Sequence, residues 1–346
     1  MAQTLPNYTM STFSIPNKVC DRLDSLTRRF WWKPSQREGR FIAWSAWDKL
    51  CNPRSRGGLG FKKTKEMNNA LLAKLAWMIA SKRDSICMRV LKLKYKVSED
   101  WLQAEAPKNA SPIWKAIEKT KSIVSKGACY LIGDGKSVDI WLDPWVPWIQ
   151  GFTPAPKTAS TLRVATKVSQ LIDPDLRKWK APLILELFDP SSAKAILSIH
   201  LQTRPHRDRL IWIPNPKGCF SVKSAYRKIS QLPSQPANLE VDWKKMWKML
   251  GPERIKMFLW RVAANALPIK ENLSRRLEVD DPCCVLCNQE AESFAHLFFH
   301  CPVARALWFS ICWGFKADEA QLTTAADIIN LILTLLNHFG KRMING

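Results

Sequence analysis

The sequence predicts a mainly α protein with small β-hairpins, in which a helical region precedes a small metal-binding domain. Three observations carry this. Apolar residues recur at helical spacing through residues 17–32 and 68–81. Short apolar runs flank the turn signals Asp134-Gly135 and Pro214-Asn-Pro-Lys-Gly218, the pattern of a hairpin. Near the end, Cys284-x2-Cys287-x8-His296-x4-Cys301 offers three thiols and one imidazole, the donor set of a closed tetrahedral zinc site.

Taken in order, residues 17–32 place Val19, Leu23, Leu26 and Phe30 on one helix face, and Pro34 and Gly39 end it. A second element, Phe41 to Trp47, leads to a turn at Pro53 and to Gly57-Gly58-Leu59-Gly60. No Lys-Ser/Thr follows these glycines, so they read as a turn and not as a phosphate loop. The clearest helix runs from Asn68 to about Ser81, with Leu71, Leu72, Leu75, Met78 and Ile79 as its apolar face. A basic helix follows with Val90, Leu91, Leu93 and Tyr95 among Lys92, Lys94 and Lys96. Residues 98–112 form a polar connector, and Trp114–Ser125 a further helix. Tyr130–Trp141 reads as a hairpin, and the Trp141–Trp148 stretch that follows as core packing, since large aromatics usually carry cores. After a linker at 151–160 come helices at 168–171, 182–188 and 191–199. A second hairpin pairs Arg209–Ile213 with Cys219–Val222, and Ser224 opens a helix to Ile229. Residues 231–238 are a second linker. The last folded unit starts at about Asp242, with Trp243 and Trp247 on one helix face and a helix over 257–264, and the cysteine stretch and residues 305–312 follow. The stretch 328–339 is at most an amphipathic helix. The regions are therefore 1–97, 98–160, 161–238, 239–313 and 314–346.

Charge points to the partner. The 346 residues hold 53 Lys+Arg against 30 Asp+Glu, a net charge of +23, which suits a polyanion such as RNA or DNA. Between Arg54 and Lys96 there are 12 basic residues and 2 acidic ones. The candidate phosphate contacts are Arg54, Arg56, Lys62, Lys63, Lys65, Lys82, Arg83, Lys92, Lys94 and Lys96, with Arg261, Arg275 and Arg276 beside the cysteine stretch. A plainer reading is a solvated basic surface. Ten cysteines spread through a long chain are not a secreted disulfide scaffold. The start lacks a signal-peptide pattern and no apolar run reaches transmembrane length, so an intracellular site is expected, and the partner argument points to the nucleus. Asn-x-Ser/Thr matches at Asn7, Asn109 and Asn272 are then chance.

The metal ligands are read as Cys284, Cys287, His296 and Cys301, holding one zinc ion. Ser293 is placed as the N-cap of the segment carrying the last two. His296 and Cys301 are five apart, so one further helical turn brings them to nearly the same side. Cys283 and His300 sit beside this set, and either could substitute. Four protein ligands leave no open position for water, which makes the site structural. Cysteines buried for packing, or a redox pair, are the rival reading.

These residues resemble a known family. Trp247, Phe258-Leu-Trp-Arg261, Leu267-Pro268, Leu273, Arg276, the Cys/His set and Trp308 look like the zinc-binding domain of plant LINE-type (non-LTR) retrotransposon reverse transcriptases. Upstream, Leu5-Pro-Asn-Tyr8, Phe30-Trp31-Trp32, Trp44, Trp47-Asp48, Cys51-Asn-Pro53, Gly57-Gly-Leu-Gly60, Asn68, Leu71-Leu-Ala-Lys74 and Trp77 resemble the segment after the polymerase core. Gly133-Asp-Gly135, Trp141, Asp143, Trp145, Asp208, Trp212, Gly218 and Phe220–Tyr226 fill the interval. The resemblance covers about residues 5–310.

It implies a helical post-polymerase region that helps hold template RNA or target DNA, beside a reverse-transcriptase core supplied in trans, with no small-molecule substrate and no membrane. It also implies what to look for and not find. The chain's one Asp-Asp pair, Asp280-Asp281, follows Glu278-Val279 where the polymerase turn has an aromatic, and past Trp308 there is no set of spaced ribonuclease H carboxylates. The expectation is a zinc-stabilised nucleic-acid-binding fragment with no catalytic residues. The alternative is a decayed fragment, or a protein-interaction scaffold that binds no nucleic acid.

Overall fold

A computed structural model describes residues 6–33, 41–97, 101–104, 109–158, 165–202, 206–230, 241–310, 324 and 326–334. Parts of the connector at 98–112 and of the linker at 151–160, the linker at 231–238, and residues 311–312 and 335–339 of the last two stretches read from sequence lie outside the described residues. The fold is mainly α with one two-stranded antiparallel ribbon among the described residues. It divides into two compact units, 1–23 with 64–231, and 24–63 with 232–346, the division falling inside the Asn17–Trp32 helix.

The first unit is built on the Thr64–Ala80 helix, which starts four residues before the expected Asn68. Ala70, Leu72, Ala73, Ala76 and Ile79 make its buried face. Small residues at 70, 73 and 76 let neighbouring helices approach closely. On one side lies the Val222–Ile229 helix with Ala225 and Tyr226, beside Trp212. On the other lie Met88, Trp101, Trp114, Ile117 and Val124. The expected helix over 114–125 is two, Pro112–Lys119 and Lys121–Ser125, joined at Thr120. Ser111 caps the first by accepting from Trp114 N, and Ser85 caps the Ile86–Tyr95 helix by accepting from Met88 N.

Asn68, buried in the first turns of the central helix, ties down the chain's start. Its Nδ2 donates to the Met10 and Phe13 carbonyls (2.7 and 2.8 Å), and its Oδ1 accepts from Ile15 N (2.9 Å).

The strands pair differently from the expectation. Ala128–Leu131 runs antiparallel to Arg209–Trp212, with Cys129 opposite Ile211, so the two local hairpins are replaced by one long-range ribbon. Asp208 explains the first change. Its carboxylate accepts from the Gly133, Gly135 and Ser137 amides and from Ser137 Oγ, at 2.7–3.1 Å, folding residues 133–137 into a loop around it. In the second, Trp212 N still bonds Gly218 O across the turn, but Ser221 caps the next helix in place of Ser224. A further core gathers Val138, Ile140, Trp145, Leu171, Ile184, Phe188 and Ile196; Trp145 is fully buried and its Nε1 donates to Ile140 O.

The second unit joins two stretches, 24–63 and 232–346, separated in sequence by residues 64–231. Trp31, Trp32, Trp47 and Phe61 pack on a core of Leu50, Met246, Leu259, Trp260, Val262, Ile269 and Phe299. The Trp31 and Trp260 rings meet edge to face at 6.3 Å. Trp260 Nε1 donates to Gly57 O (2.9 Å), so the Gly57–Gly60 turn serves as an anchor. Gly57 and Gly60 have φ of +80° and +76°, the left-handed region open to glycine. Residues 326–334 are helical, and Ile328, Ile329 and Leu333 close the same core.

Candidate metal centre

Short-range turns build one side of the site. Cys283 bridges Ala291 in antiparallel fashion, Cys284 N donates to Glu290 O (2.7 Å), and Glu292 N donates to Pro282 O (2.9 Å). Asn288, at φ +54°, turns the chain back between these pairs. Leu286 N points at Cys284 Sγ (3.4 Å). The buried Glu292 carboxylate accepts from Lys270 N (2.9 Å) and Val285 N (3.4 Å), fixing the turn to the Lys270–Ser274 helix.

The other side is a distorted helical turn. Ser293 Oγ accepts from His296 N (3.1 Å), the cap expected from sequence. His296–His300 then forms a π turn, closed by Cys301 N donating to His296 O (2.7 Å). This corrects the reasoning from an ordinary helix. Five residues of α-helix rotate a side chain to about 140° from where it began. The i→i+5 turn is wider and brings His296 and Cys301 together. Cys301 then leads into the Pro302–Ser310 helix.

The ligand atoms of Cys284, Cys287, His296 and Cys301 all lie within 4.8 Å of one another. Zinc–sulfur and zinc–nitrogen bond lengths in a tetrahedron imply separations of about 3.5–3.8 Å. Cys287 Sγ and His296 Nε2 are 3.3 Å apart. Cys284, His296 and Cys301 are buried, Cys287 half-buried, and none of the three thiols is in a disulfide. Cys283 and His300 fall outside the cluster. The donor set, its spacing and its burial fit a structural zinc ion.

The thiols are not equivalent. Backbone amide donation from Gln289 comes first and, against the opposing effect of burial, brings Cys287 down to about 6. Burial pushes the Cys284 thiol up. Behind His296, Glu290 Oε2 lies 2.9 Å from Nδ1, the carboxylate–histidine arrangement that orients a metal-binding ring. Sequence reasoning missed Glu290 and Glu292. Their only sequence signal is that they lie between the cysteine pair and the histidine.

Asp281 serves a local structure. It accepts from Cys283 N (2.8 Å) and pairs with Lys270 Nζ (3.0 Å), and these contacts, the Cys283 amide first, bring its carboxyl down to about 2.

The basic residues expected to touch phosphate divide between the two units. In the first, Lys65, Lys82, Arg83, Lys94 and Lys96 are exposed and Lys92 is half-buried, with Lys94 Nζ 5.6 Å from the Tyr95 ring. In the second, Arg54, Arg56, Lys62, Arg275 and Arg276 are exposed, while Lys63 and Arg261 are half-buried. Several already hold internal contacts. Arg54 lies 4.6 Å over Trp247, and Arg276 donates to Ala43 O (2.7 Å) and lies over Trp44. Arg275 pairs with Glu271 and Lys63 with Asp48, both at 2.8 Å.

A family model described as zinc-binding in reverse transcriptase matches residues 220–308, a span that contains the whole cluster. An uncharacterized mitochondrial protein of Arabidopsis thaliana is 34% identical over 143 residues, which is 41% of this chain and 92% of that relative. The chain belongs to the retrotransposon reverse-transcriptase family that carries this zinc-binding domain. A second relative, the Arabidopsis thaliana protein named "Putative ribonuclease H protein", is 30% identical over 321 residues, 89% of this chain. The chain spans 50% of that relative's length. No solved structure matches the chain. As a reverse-transcriptase zinc-binding protein it takes zinc as its cofactor. No helix among the described residues is long and apolar enough to cross a membrane.

Proposed function

We propose that this chain is a zinc-stabilised nucleic-acid-binding module that performs no catalysis of its own, with Cys284, Cys287, His296 and Cys301 as the four ligands. The observation that carries the reading is the convergence of these four donor atoms within 4.8 Å on a π turn and a tight cysteine turn. A bound zinc ion supplies a cross-link between those turns, so its binding energy is part of the folding energy of the unit around it. The thiols bind as thiolates, and the low position of Cys287 favours this.

The net charge of +23 and the membership of a reverse-transcriptase family support RNA or DNA as the partner. In this reading the exposed cations of residues 54–96, with Arg261, Arg275 and Arg276, contact phosphates while a polymerase core supplied in trans does the chemistry. Asp281 is occupied with Cys283 and Lys270, which supports a non-catalytic role for the Asp-Asp pair.

Two measurements test this. Elemental analysis is expected to find one zinc per chain, lost in Cys287→Ser and Cys301→Ser together with the fold of residues 242–312; a metal-free, fully folded protein refutes the zinc assignment. Titration with RNA and DNA at several salt concentrations is expected to give a log–log slope of about −0.7 to −0.9 per phosphate contact. One observation favours a second reading, a scaffold that binds no nucleic acid: Arg54, Arg275, Arg276 and Lys63 already have internal partners. Absence of binding at low salt decides for the scaffold.

A further inference from the structure

Within the first unit, a cavity of about 700 Å³ lies between the end of the Thr64–Ala80 helix, the ribbon and the 217–220 turn. Its volume is in the range of ligand sites. None of the phosphate contacts expected from sequence at 92–96 or in the second unit lines it. What lines it is a particular mixture. Lys74, Arg83, Arg209 and Lys217 are exposed cations at its edge, contributed by three separate stretches of chain. Trp77, Tyr130 and Phe220 are half-buried aromatics in its wall. Trp77 and Phe220 are stacked at 5.6 Å with an interplanar angle of 18°, and Trp77 meets the buried Trp212 edge to face, so these rings are held rigidly.

The carboxylates in the lining do not cancel this charge. Asp208 is turned to the 133–137 loop, where it accepts the four hydrogen bonds described above. Asp143 accepts from Asp139 N (2.7 Å) and from Gln103 Nε2 (3.3 Å). Both stiffen the wall, and the cations outnumber them.

Charge at the rim and fixed aromatic edges within suit one ligand chemistry. Cations follow a phosphodiester backbone while aromatic rings take up bases, and bases can reach such rings only when unstacked from a duplex. We infer that this cavity binds an unpaired stretch of a nucleic-acid strand, phosphates against Lys74, Arg83, Arg209 and Lys217 and a base against the Trp77–Phe220 and Tyr130 edges. The inference rests on the nucleic-acid reading above and deepens it, giving the first unit a single-strand site.

The test uses the full zinc-loaded chain and fluorescent 12-nucleotide RNA and DNA strands, each also presented as a duplex. The triple variant Lys74→Ala/Arg209→Ala/Lys217→Ala changes only exposed side chains. It is expected to weaken single-strand binding at least 10-fold and to make the salt slope shallower by about 2, at about 0.7 per lost contact. Duplex binding is expected to change less than 2-fold. A control pair, Lys94→Ala/Lys96→Ala, changes exposed side chains that do not line the cavity and is expected to leave the single-strand preference intact. Photo-crosslinking of a 4-thiouridine or 4-thiothymidine strand is expected to label Tyr130, Trp77 or Phe220. Loss of RNA binding alone, of DNA binding alone or of both in the first triple supports the site and says which sugar it accepts. If the wild type binds but the first triple binds strands as before, or loses strand and duplex equally, the cavity is not the site, while the general reading survives. If the wild type binds neither nucleic acid, both fall together.

Discussion

Glu290 Oε2 and His296 Nδ1 are 2.9 Å apart, on the side of the ring opposite the nitrogen that faces Cys287 Sγ. The carboxylate accepts Nδ1–H and so selects the tautomer whose Nε2 lone pair points into the thiol cluster. Glu290 also holds the cysteine turn through its backbone carbonyl, which a side-chain substitution leaves in place. Glu290→Ala is therefore expected to lower zinc affinity about 10- to 100-fold without preventing folding at saturating zinc. Competition against a chromophoric chelator measures this. Equal affinities would mean that packing alone positions the ring.

The Cys287 thiol gives a second, pH-dependent prediction, for zinc retention. Its ionisation is brought down from 9.0 to about 6, chiefly by the Gln289 amide. A lowered value means the thiolate, the form that binds zinc, persists as pH falls from 9 and is protonated only below about 6. Zinc is therefore expected to stay bound from pH 9 down to about 6 and to be released as the pH falls further. Equilibrium dialysis followed by elemental analysis across pH 4–9 reads this directly. Half-release of zinc near pH 8 or 9 would contradict the lowered thiol.

How much of this was legible in the sequence depended on distance along the chain. Ligand types and spacings sit within eighteen residues, so the Cys/His set could be read directly, as could Ser293 as a cap. The Thr64–Ala80 and Asn17–Trp32 helices followed from periodicity, which is also local. The strands could not be paired from sequence. Ala128–Leu131 and Arg209–Trp212 are separated by more than seventy residues, and the Asp-Gly signal that suggested a local hairpin instead marks the loop around Asp208. Packing of Trp31 on Trp260 leaves no periodic trace at all, because nothing in either segment encodes its partner. The π turn was hidden for a different reason: side-chain spacing alone does not distinguish it from α-helix.

Asn68 is a polar side chain in a mostly apolar buried helix face, and its three hydrogen bonds to residues 10–15 are the reason. Asn68→Ala takes this partner from the buried Met10 carbonyl and from the part-buried Phe13 carbonyl and Ile15 amide, and is expected to cost about 2–4 kcal/mol. Asn68→Asp keeps the acceptor for Ile15 N but turns a carboxylate oxygen toward two carbonyls, so it is expected to be at least as damaging. Urea denaturation followed by tryptophan fluorescence separates these outcomes. Near-neutral behaviour of Asn68→Asp would show that the two donated bonds contribute little.

The Gly57–Gly60 turn makes a sharper prediction, because its glycines are needed for different reasons. A Cβ on Gly58 would lie 2.0 Å from the Asn52 carbonyl oxygen, and that atom is backbone held by Gly60 N donating to it at 2.9 Å. The chain must therefore move, and with it the Gly57 carbonyl that anchors Trp260. Gly60 has open space around its Cβ position, so alanine there meets only the cost of a left-handed φ, about 1–2 kcal/mol. Gly58→Ala is expected to cost about 3 kcal/mol or more through overpacking and the displaced anchor. Urea unfolding of the zinc-loaded protein should rank wild type above Gly60→Ala and Gly60→Ala above Gly58→Ala. The reverse order would mean that conformation, and not the close approach of two backbone segments, is what this turn requires of glycine.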